Sequence, residues 1–522
     1  MQNAPPCEAS PNAAVLAAPA ETRPFCPQRS RPYVLAAAIL ASALGFIDGS
    51  IVSIAMPAIR ADLGASFVDA QWISNAYALT LSALILVGGA AGDRFGLRIT
   101  FVAGITVFIA ASIACALAPS PAWLIAFRAL QGVGAAIMVP CSLAIIAKAY
   151  PKAERGRAIG IWAAASALTT ALGPVLGGFV LSSFDQSVWR GIFAVNLPLG
   201  AVAVYLLLAK IPPDRPAERR GLDLAGAALA ALGFGGLAYG LTAMSGDIWD
   251  SALELSLPVI GVGILIIGAF VFWERRQADP MMNIGLFRSR PFSGANVATF
   301  FLYFSLSAIL FYLPMLLIAG WNVSAANAGF IFLPLSAAIA LLSGPVGRVA
   351  DRIGARAPIA LGSLVVGVAF GGLGLLAMAG LHAFWLGVFP LMVLMGLGMA
   401  LVVSPLSTAV MTSVDDADTG AASGINNAVA RIAGLVAVAA MGAVAAVVYD
   451  AFLLMHSDAG PVSASFGELV SGLEAPAEAA RVVANDRAFA AVALSTAILC
   501  LLSAVTAWLT LAEPERTVAG SR

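Results

Sequence analysis

Fourteen apolar runs, each long enough to cross a bilayer, leave this chain few ways to fold. A spanning helix needs about 20 mostly apolar residues, because inside hydrocarbon each backbone amide must find its carbonyl within the same segment. The runs lie at 33–57, 71–91, 99–118, 122–147, 157–181, 190–209, 222–244, 255–273, 291–318, 324–346, 358–379, 384–410, 421–448 and 488–511. Composition agrees: 11% of residues are charged, against about 25% in a soluble domain. The sequence therefore predicts an all-α integral membrane protein held in a lipid bilayer.

Several functions are excluded early. Basic and acidic residues balance at 28 each, so nothing suggests a nucleic-acid partner. Two histidines, His382 and His456, and the scattered Cys7, Cys26, Cys115, Cys141 and Cys500 give no metal-ligand spacing and no disulfide framework. No metal or cofactor is expected. Lys148, Lys152 and Lys210 are followed by Ala, Ala and Ile, so there is no Walker A motif and no ATP-driven pump.

The basic residues orient the spans. With the N-terminus inside, 22 of 28 fall in inner segments and four in outer ones: Arg60, Arg190, Arg481 and Arg487. Arg128 and Arg431 lie within spans. That asymmetry fits the positive-inside rule with both termini cytoplasmic, in a cell inner (plasma) membrane. One inner loop, 411–420, breaks the rule with Asp415, Asp416 and Asp418 and no base. Residues 1–32 lack the layout of a cleaved signal peptide and read as a disordered cytoplasmic tail, and 512–522 as a second one.

A charged turn is written twice. Gly89-x-x-x-Asp93-Arg94-x-Gly96-x-Arg98 matches Gly347-x-x-x-Asp351-Arg352-x-Gly354-x-Arg356 at an offset of 258. At an offset of 264, Gly132–Pro140 resembles Gly396–Pro405 and Gly156–Ile161 resembles Gly420–Ile425. Spans 1–6 (33–209) and 9–14 (291–511) are thus two parallel halves, and 210–290 holds a two-helix insert with its flanking loops. Parallel repeats about an axis along the membrane normal form a transporter architecture, with its site at the midplane. In the turn, the glycines allow close helix approach, Asp93 can accept from the amides of a helix N-terminus, and Arg94 and Arg98 can pair with it or with lipid phosphate. Such a pair of turns is expected to act as conformational latches.

These residues resemble the loop 2–3 motif of the major facilitator superfamily, and within it the 14-helix drug:proton antiporter family. Four more stretches resemble motifs of that family in the same order: Phe46–Pro57, Arg128–Ala136, Thr170–Gly178 and Trp189–Gly200. Ala91, Gly92 and Leu97 depart from the loop motif, and Thr169 replaces the leading Gly of the fifth-helix motif. The resemblance spans about residues 33 to 511 and implies the major facilitator fold and multidrug efflux.

Asp48 is the acid deepest in any span, some 15 residues into the first. A lone carboxylate at mid-membrane costs about 2.5–3.5 kcal/mol on insertion scales, so Asp48 is a candidate functional group, the alternative being a buried acid hydrogen-bonded for packing. The resemblance implies a role in proton coupling for Asp48, and the same for Arg128. It makes Gly173, Pro174, Gly177 and Gly178 the antiporter motif, a bend that seals the cavity; small-residue packing explains them equally. Asn426, Asn427 and Arg431 are candidates to line the cavity or to tie the halves together. The aromatics Tyr77, Trp162 and Tyr312, with Trp72 and Tyr303, could line a drug pocket or anchor at the membrane interface.

The function expected is proton-coupled export of amphipathic small molecules, driven by the proton gradient alone. A dedicated exporter of one metabolite or self-made antibiotic is the nearest alternative. An intramembrane enzyme would need convergent catalytic groups at one depth, and a sensor would need a soluble output domain; neither is visible. The chain does not specify accessory efflux proteins.

Overall fold

The computed structural model describes residues 26–214, 222–246, 252–277, 280–415, 418–456 and 462–511. The predicted tails 1–25 and 512–522 lie outside the described residues, as do Asp416 and Arg215, Arg219 and Arg220. The described residues are helical throughout, with no strands. Fourteen helices are long and apolar enough to cross a membrane. In chain order α1–α14 they are Gln28–Leu63, Phe67–Phe95, Leu97–Ala116, Pro121–Ala149, Glu154–Ser183, Trp189–Lys210, Leu224–Ala243, Ser256–Glu274, Arg290–Gly320, Ala325–Ile353, Arg356–Met378, Phe384–Thr412, Thr419–Met455 and Ala475–Thr510.

Local chemistry sets the ends. Ser66 and Asp69 form a reciprocal capping box on α2. Pro121 lies in the first turn of α4, where its missing amide is harmless. The two copies of the charged turn have the same backbone: Gly96 at φ 95° closes α2 and Gly354 at φ 87° closes α10. Only glycine adopts that conformation without strain.

The repeat is visible in how the helices pack. Gly132 of α4 faces the Tyr77 carbonyl of α2, and its counterpart Gly396 of α12 faces the Pro334 carbonyl of α10. Gly134 meets the α3 backbone at Gly104 and Phe108, and Gly398 meets the α11 backbone at Gly362 and Val366. A side chain at any of these four glycines would overlap backbone. The insert, α7–α8, is zipped by its own glycines, Gly233, Gly236, Gly240 and Gly263. It leans on the seam between halves: Leu79 of α2 meets Gly235, and Leu435 and Ala439 of α13 pack against Ala238.

Three boundaries differ from the sequence expectation. The first helix begins at Gln28, inside the segment read as a tail. The last two run well past their apolar runs, α13 to Met455 and α14 from Ala475. Arg481 and Asp486 interrupt the hydropathy of α14, yet both are buried: the loop before α14 meets Arg481, and Asp486 accepts from Trp321 Nε1 and bonds His382 Nε2. Arg481 donates to the carbonyls of Ala319 and Glu468, and Asn485 accepts from the amide of Gly467.

The bundle is closed at one end only. On the face opposite the described termini, α5 and α10 touch backbone to backbone: Gly178 lies against the Ala325 carbonyl and Gly329 against that of Pro174. Towards the terminal face the same helices separate. From Ile339 to Val349 no side chain is buried, whereas most from Ala328 to Ala338 are. Gly156, Gly160 and Gly344 face open space.

Candidate functional site

Asp48 and Arg128, 80 residues apart, meet in the interior of the N-terminal half. Arg128 Nη1 donates to Asp48 Oδ2 at 2.5 Å, and each residue is 1% exposed. Gln131, one turn along α4, accepts from Arg128 and donates through Nε2 to Asp48 Oδ1 and to Ser112 Oγ, both at 2.8 Å. Asn196 Nδ2 reaches the same two oxygens at 3.5 and 3.2 Å. Ser112 passes its own proton to the Phe108 carbonyl. Arg128 also donates to the Ile73 carbonyl and stacks on Tyr77, 4.4 Å from the ring centroid.

Both carboxylate oxygens of Asp48 receive donors. Removing one member of a buried ion pair typically costs about 3–5 kcal/mol, so any change at Asp48 is felt at Arg128. One mismatch remains: Asn196 Oδ1 is buried without a partner. The pair is also close to open space. On α1, a Cβ added at Gly45 would lie 3.6 Å from the Met138 methyl and 3.9 Å from the Tyr77 hydroxyl, and one added at Gly49, one turn on, would meet nothing within 4 Å.

Sequence reasoning found the two charges and missed Gln131, Ser112 and Asn196. Gln131 and Asn196 both stand within quoted motifs, in Arg128–Ala136 and Trp189–Gly200, but an uncharged polar residue in a span carries little signal alone. Asn196 is aimed inward by a break in α6: helix runs Trp189–Ala194 and resumes at Asn196–Lys210.

The charged turn is built differently from the expectation. The anion at the N-terminus of α3 is Asp214, not Asp93. Asp214 accepts from the amides of Leu97 and Arg98 at 2.9 and 3.0 Å and from Lys148 Nζ at 3.0 Å. Burial opposes its charge, but the two amides and the ammonium prevail and hold it below the ordinary carboxylate value. Arg98 donates instead to the Leu207 and Leu208 carbonyls, capping α6. Asp93 and Arg94 are exposed; Arg94 lies over Phe95, and Asp93 forms no hydrogen bond or ion pair with the described residues. A Cβ added at Gly89 would meet only Pro140, at 3.8 Å. Asp351 and Arg352 are likewise exposed.

The other candidates separate. Gly173 and Gly177 receive Ile47 and Ile51 of α1, while Gly178 and Pro174 make the α5–α10 contact between halves. Tyr312 does not line a cavity: it is fully buried, donates to the Val438 carbonyl and packs against Phe67, Phe311 and Phe466. Trp162 bonds Ser42 of α1 at 2.9 Å. Asn426 ties α13 to Asn296 and Thr299 of α9, within one half, and Asn427 turns back to the Ser423 carbonyl on its own helix. Arg431 is half-buried on α13.

Three of the four outer arginines are structural. Arg190 pairs with Asp62 and Arg481 with Glu478. Arg60, 2% exposed, donates to the Phe466 carbonyl at 2.8 Å, Ser465 Oγ at 2.6 Å and Glu468 at 3.1 Å, fastening α1 to the loop before α14.

Fourteen membrane-spanning helices, with an ion pair buried inside the N-terminal half and a bundle sealed at one face and parted at the other, define a membrane transporter rather than an enzyme. The chain belongs to the Major Facilitator Superfamily, whose family model matches residues 38–438. It is 35% identical to the Multidrug resistance protein Stp of Mycobacterium tuberculosis over 80% of this chain and 77% of that one. It is 31% identical to the Tetracenomycin C resistance and export protein of Streptomyces glaucescens over 79% of this chain and 76% of that one. Among solved structures, a bacterial homologue of the human lysosomal transporter Spinster superposes with a TM-score of 0.66 at 16% identity, covering 93% of this chain and 97% of that one. A D-xylose–proton symporter superposes with a TM-score of 0.61 at 15% identity, covering 92% and 98%. These likenesses establish the fold.

Proposed function

We propose that this protein is a proton-coupled antiporter that exports amphipathic drugs or antibiotics by alternating access. The observation that carries the reading is the Asp48–Arg128 pair, buried in the membrane interior beside the open space at Gly49. The 22-to-4 distribution of basic residues supports an inner (plasma) membrane with both termini cytoplasmic. The terminal face is then the cytoplasmic one, and the structure is inward-facing.

In this state Asp48 is ionised and saturated by its donors. When the outer face opens, Asp48 meets the outer proton reservoir, takes a proton and loosens Arg128. Return to the inward state reforms the network and releases the proton inside. Export is driven because drug and proton compete for one conformational cycle. Glycines 173, 177 and 178 with Pro174 are the outer seal. The turns at Gly89–Arg98 and Gly347–Arg356 are the inner latches, with Asp93, Arg94, Asp351 and Arg352 released here and engaged when the cytoplasmic face closes. The functional units are the halves 33–209 and 291–511. No cofactor is needed beyond the proton gradient.

Everted membrane vesicles test this. Energised vesicles holding the protein should accumulate a fluorescent amphipathic dye, and a protonophore should abolish accumulation. Accumulation that survives the protonophore would contradict the reading. A second reading, a dedicated antibiotic exporter, is favoured by relatives whose names carry one compound each, such as tetracenomycin C, actinorhodin and cephamycin. Competition decides: unrelated drugs displacing one another indicate a broad site, and a single effective competitor class a dedicated one.

A further inference from the structure

Two carboxyl groups of the insert converge on one buried point. Asp223 caps the N-terminus of α7 and Glu274 is the last residue of α8, so both lie at the end of the insert on the face of the described termini. Asp223 Oδ1 accepts from the Gly226 amide at 2.8 Å and from Trp273 Nε1 at 3.2 Å. Glu274, 2% exposed, accepts through Oε2 from the Met282 amide at 2.8 Å. The remaining oxygens, Asp223 Oδ2 and Glu274 Oε1, are buried without a hydrogen-bond partner. Each lies 2.6 Å from the place a Cβ on Gly226 would take, so the two are at most twice that far apart, and only a glycine leaves them room to meet.

No described donor reaches these two oxygens. Arg275 and Arg276, next along the chain, are exposed, and Arg276 lies over Phe272, 4.1 Å from the ring centroid. Arg288 stands in the turn after Met282, and Arg290 donates to the Leu509 carbonyl. At the same end of the elements packed on α7, Arg94 of α2 lies over Phe95, and the acids Asp93 of α2 and Asp418 before α13 supply no donor. Between its ends the insert is uncharged: Leu224–Ala243 holds no acid or base, and Ser256–Glu274 holds Glu274 alone.

Two carboxylates that meet away from water cannot both ionise without a cation between them. One proton completes both orphans at once, with Glu274 Oε1 donating to Asp223 Oδ2 in a charge-assisted hydrogen bond. The helix ends decide which group carries it. Asp223 stands at the positive end of α7 with an amide and an indole donating to it, which favours its anion; Glu274 stands at the negative end of α8, which disfavours one. We propose that Asp223 and Glu274 form a proton-binding site of the insert, in which a single shared proton, resident on Glu274, clasps the start of α7 to the end of α8. The site is separate from Asp48 in the N-terminal half. When the pair gives up its proton, two like charges face each other and the clasp opens at this end, while the glycine contacts hold the rest of the two helices.

Thermal melts of the purified full-length protein across pH test the proposal, wild type against Glu274→Gln. The glutamine amide can donate to Asp223 as the protonated acid does, but it never ionises. In the unfolded chain Glu274 ionises at an ordinary value, so the unfolded state binds fewer protons and the clasp loses stability as pH rises above about 4.3. Wild type and variant should therefore melt together near pH 4. The variant should gain as pH rises, melting about 2–4 °C above the wild type at pH 9. Groups common to both cancel in the difference, and monodisperse elution guards against misfolding. Infrared absorption gives a second reading: the wild type at neutral pH should show a protonated-carboxyl C=O stretch that Glu274→Gln lacks. A variant that melts below the wild type at every pH would mean that a cation, metal or guanidinium, occupies the point, and would overturn the shared proton. A pH-independent difference between the two, or the same carboxyl band in both, would overturn it as well.

Discussion

Gly178→Ala should shift the protein out of the inward-facing state. A Cβ at Gly178 would stand 2.2 Å from the Ala325 carbonyl oxygen, and ordinary contact begins near 3.4 Å. The α10 backbone would have to retreat by about 1.2 Å, and both neighbours are helix rather than pliable side chain. Overpacking of this kind costs about 1–3 kcal/mol. The penalty exists only where the outer halves of α5 and α10 touch. The inward-to-outward ratio should therefore fall roughly 5- to 150-fold. The assay is double electron–electron resonance between labels at Phe184, at the outer end of α5, and Leu381, in the outer loop after α11. Both positions are exposed and Cys26, Cys115, Cys141 and Cys500 are buried, so labelling is selective once Cys7 is replaced by Ser. The longer outer distance should gain population in the variant. An unchanged distribution in a folded variant would refute the claim that this glycine is part of the seal.

Other perturbations follow from the same geometry. Arg60→Met removes charged hydrogen bonds to Phe466, Ser465 and Glu468, each worth about 1.5–3 kcal/mol; the same label pair should report at least a tenfold gain of the outward state. Asp214→Asn removes an anion from the α3 N-terminus and should destabilise by about 1–2 kcal/mol in thermal melts. Because Asp214 is held below its ordinary value of 3.8, its contribution is present above that pH and is lost as pH falls through the depressed value, so variant and wild type should converge in acid. Asp93→Ala should abolish export while leaving membrane insertion and the inward-facing distance intact, since Asp93 has no hydrogen-bond or ion-pair partner in this state; normal export would remove the latch.

Much of the fold was legible because lipid imposes a simple rule. Each span must be long and apolar, and fourteen such helices are present where the apolar runs lie. The repeat was legible because small residues are required wherever two backbones cross, and Gly132/Gly396 and Gly134/Gly398 obey that requirement in both halves. Asp48 and Arg128 stood out because charge in a span is rare. What stayed hidden depends on contacts between distant segments. Asp214 takes the place expected of Asp93 because the chain after α6 folds back onto the α3 N-terminus, which no local pattern announces. The extension of α14 to Ala475 depends on distant partners, Ala319 and Glu468 for Arg481 and Trp321 and His382 for Asp486. Tyr312 reads as an amphipathic aromatic in a span, yet the Val438 carbonyl and a ring of phenylalanines place it in the core. Even the acidic 411–420 loop gains a partial reason, since Asp418 stands at the N-terminus of α13, where the helix dipole favours negative charge.

The central claim is that Asp48 couples drug movement to proton movement. The most direct measurement follows proton flux in everted vesicles on addition of a transported drug, wild type against Asp48→Asn, with insertion verified for both. The account predicts drug-driven proton release in the wild type and its loss in Asp48→Asn, even if the variant still binds drug. Undiminished proton release in Asp48→Asn would contradict it and place the coupling carboxylate elsewhere.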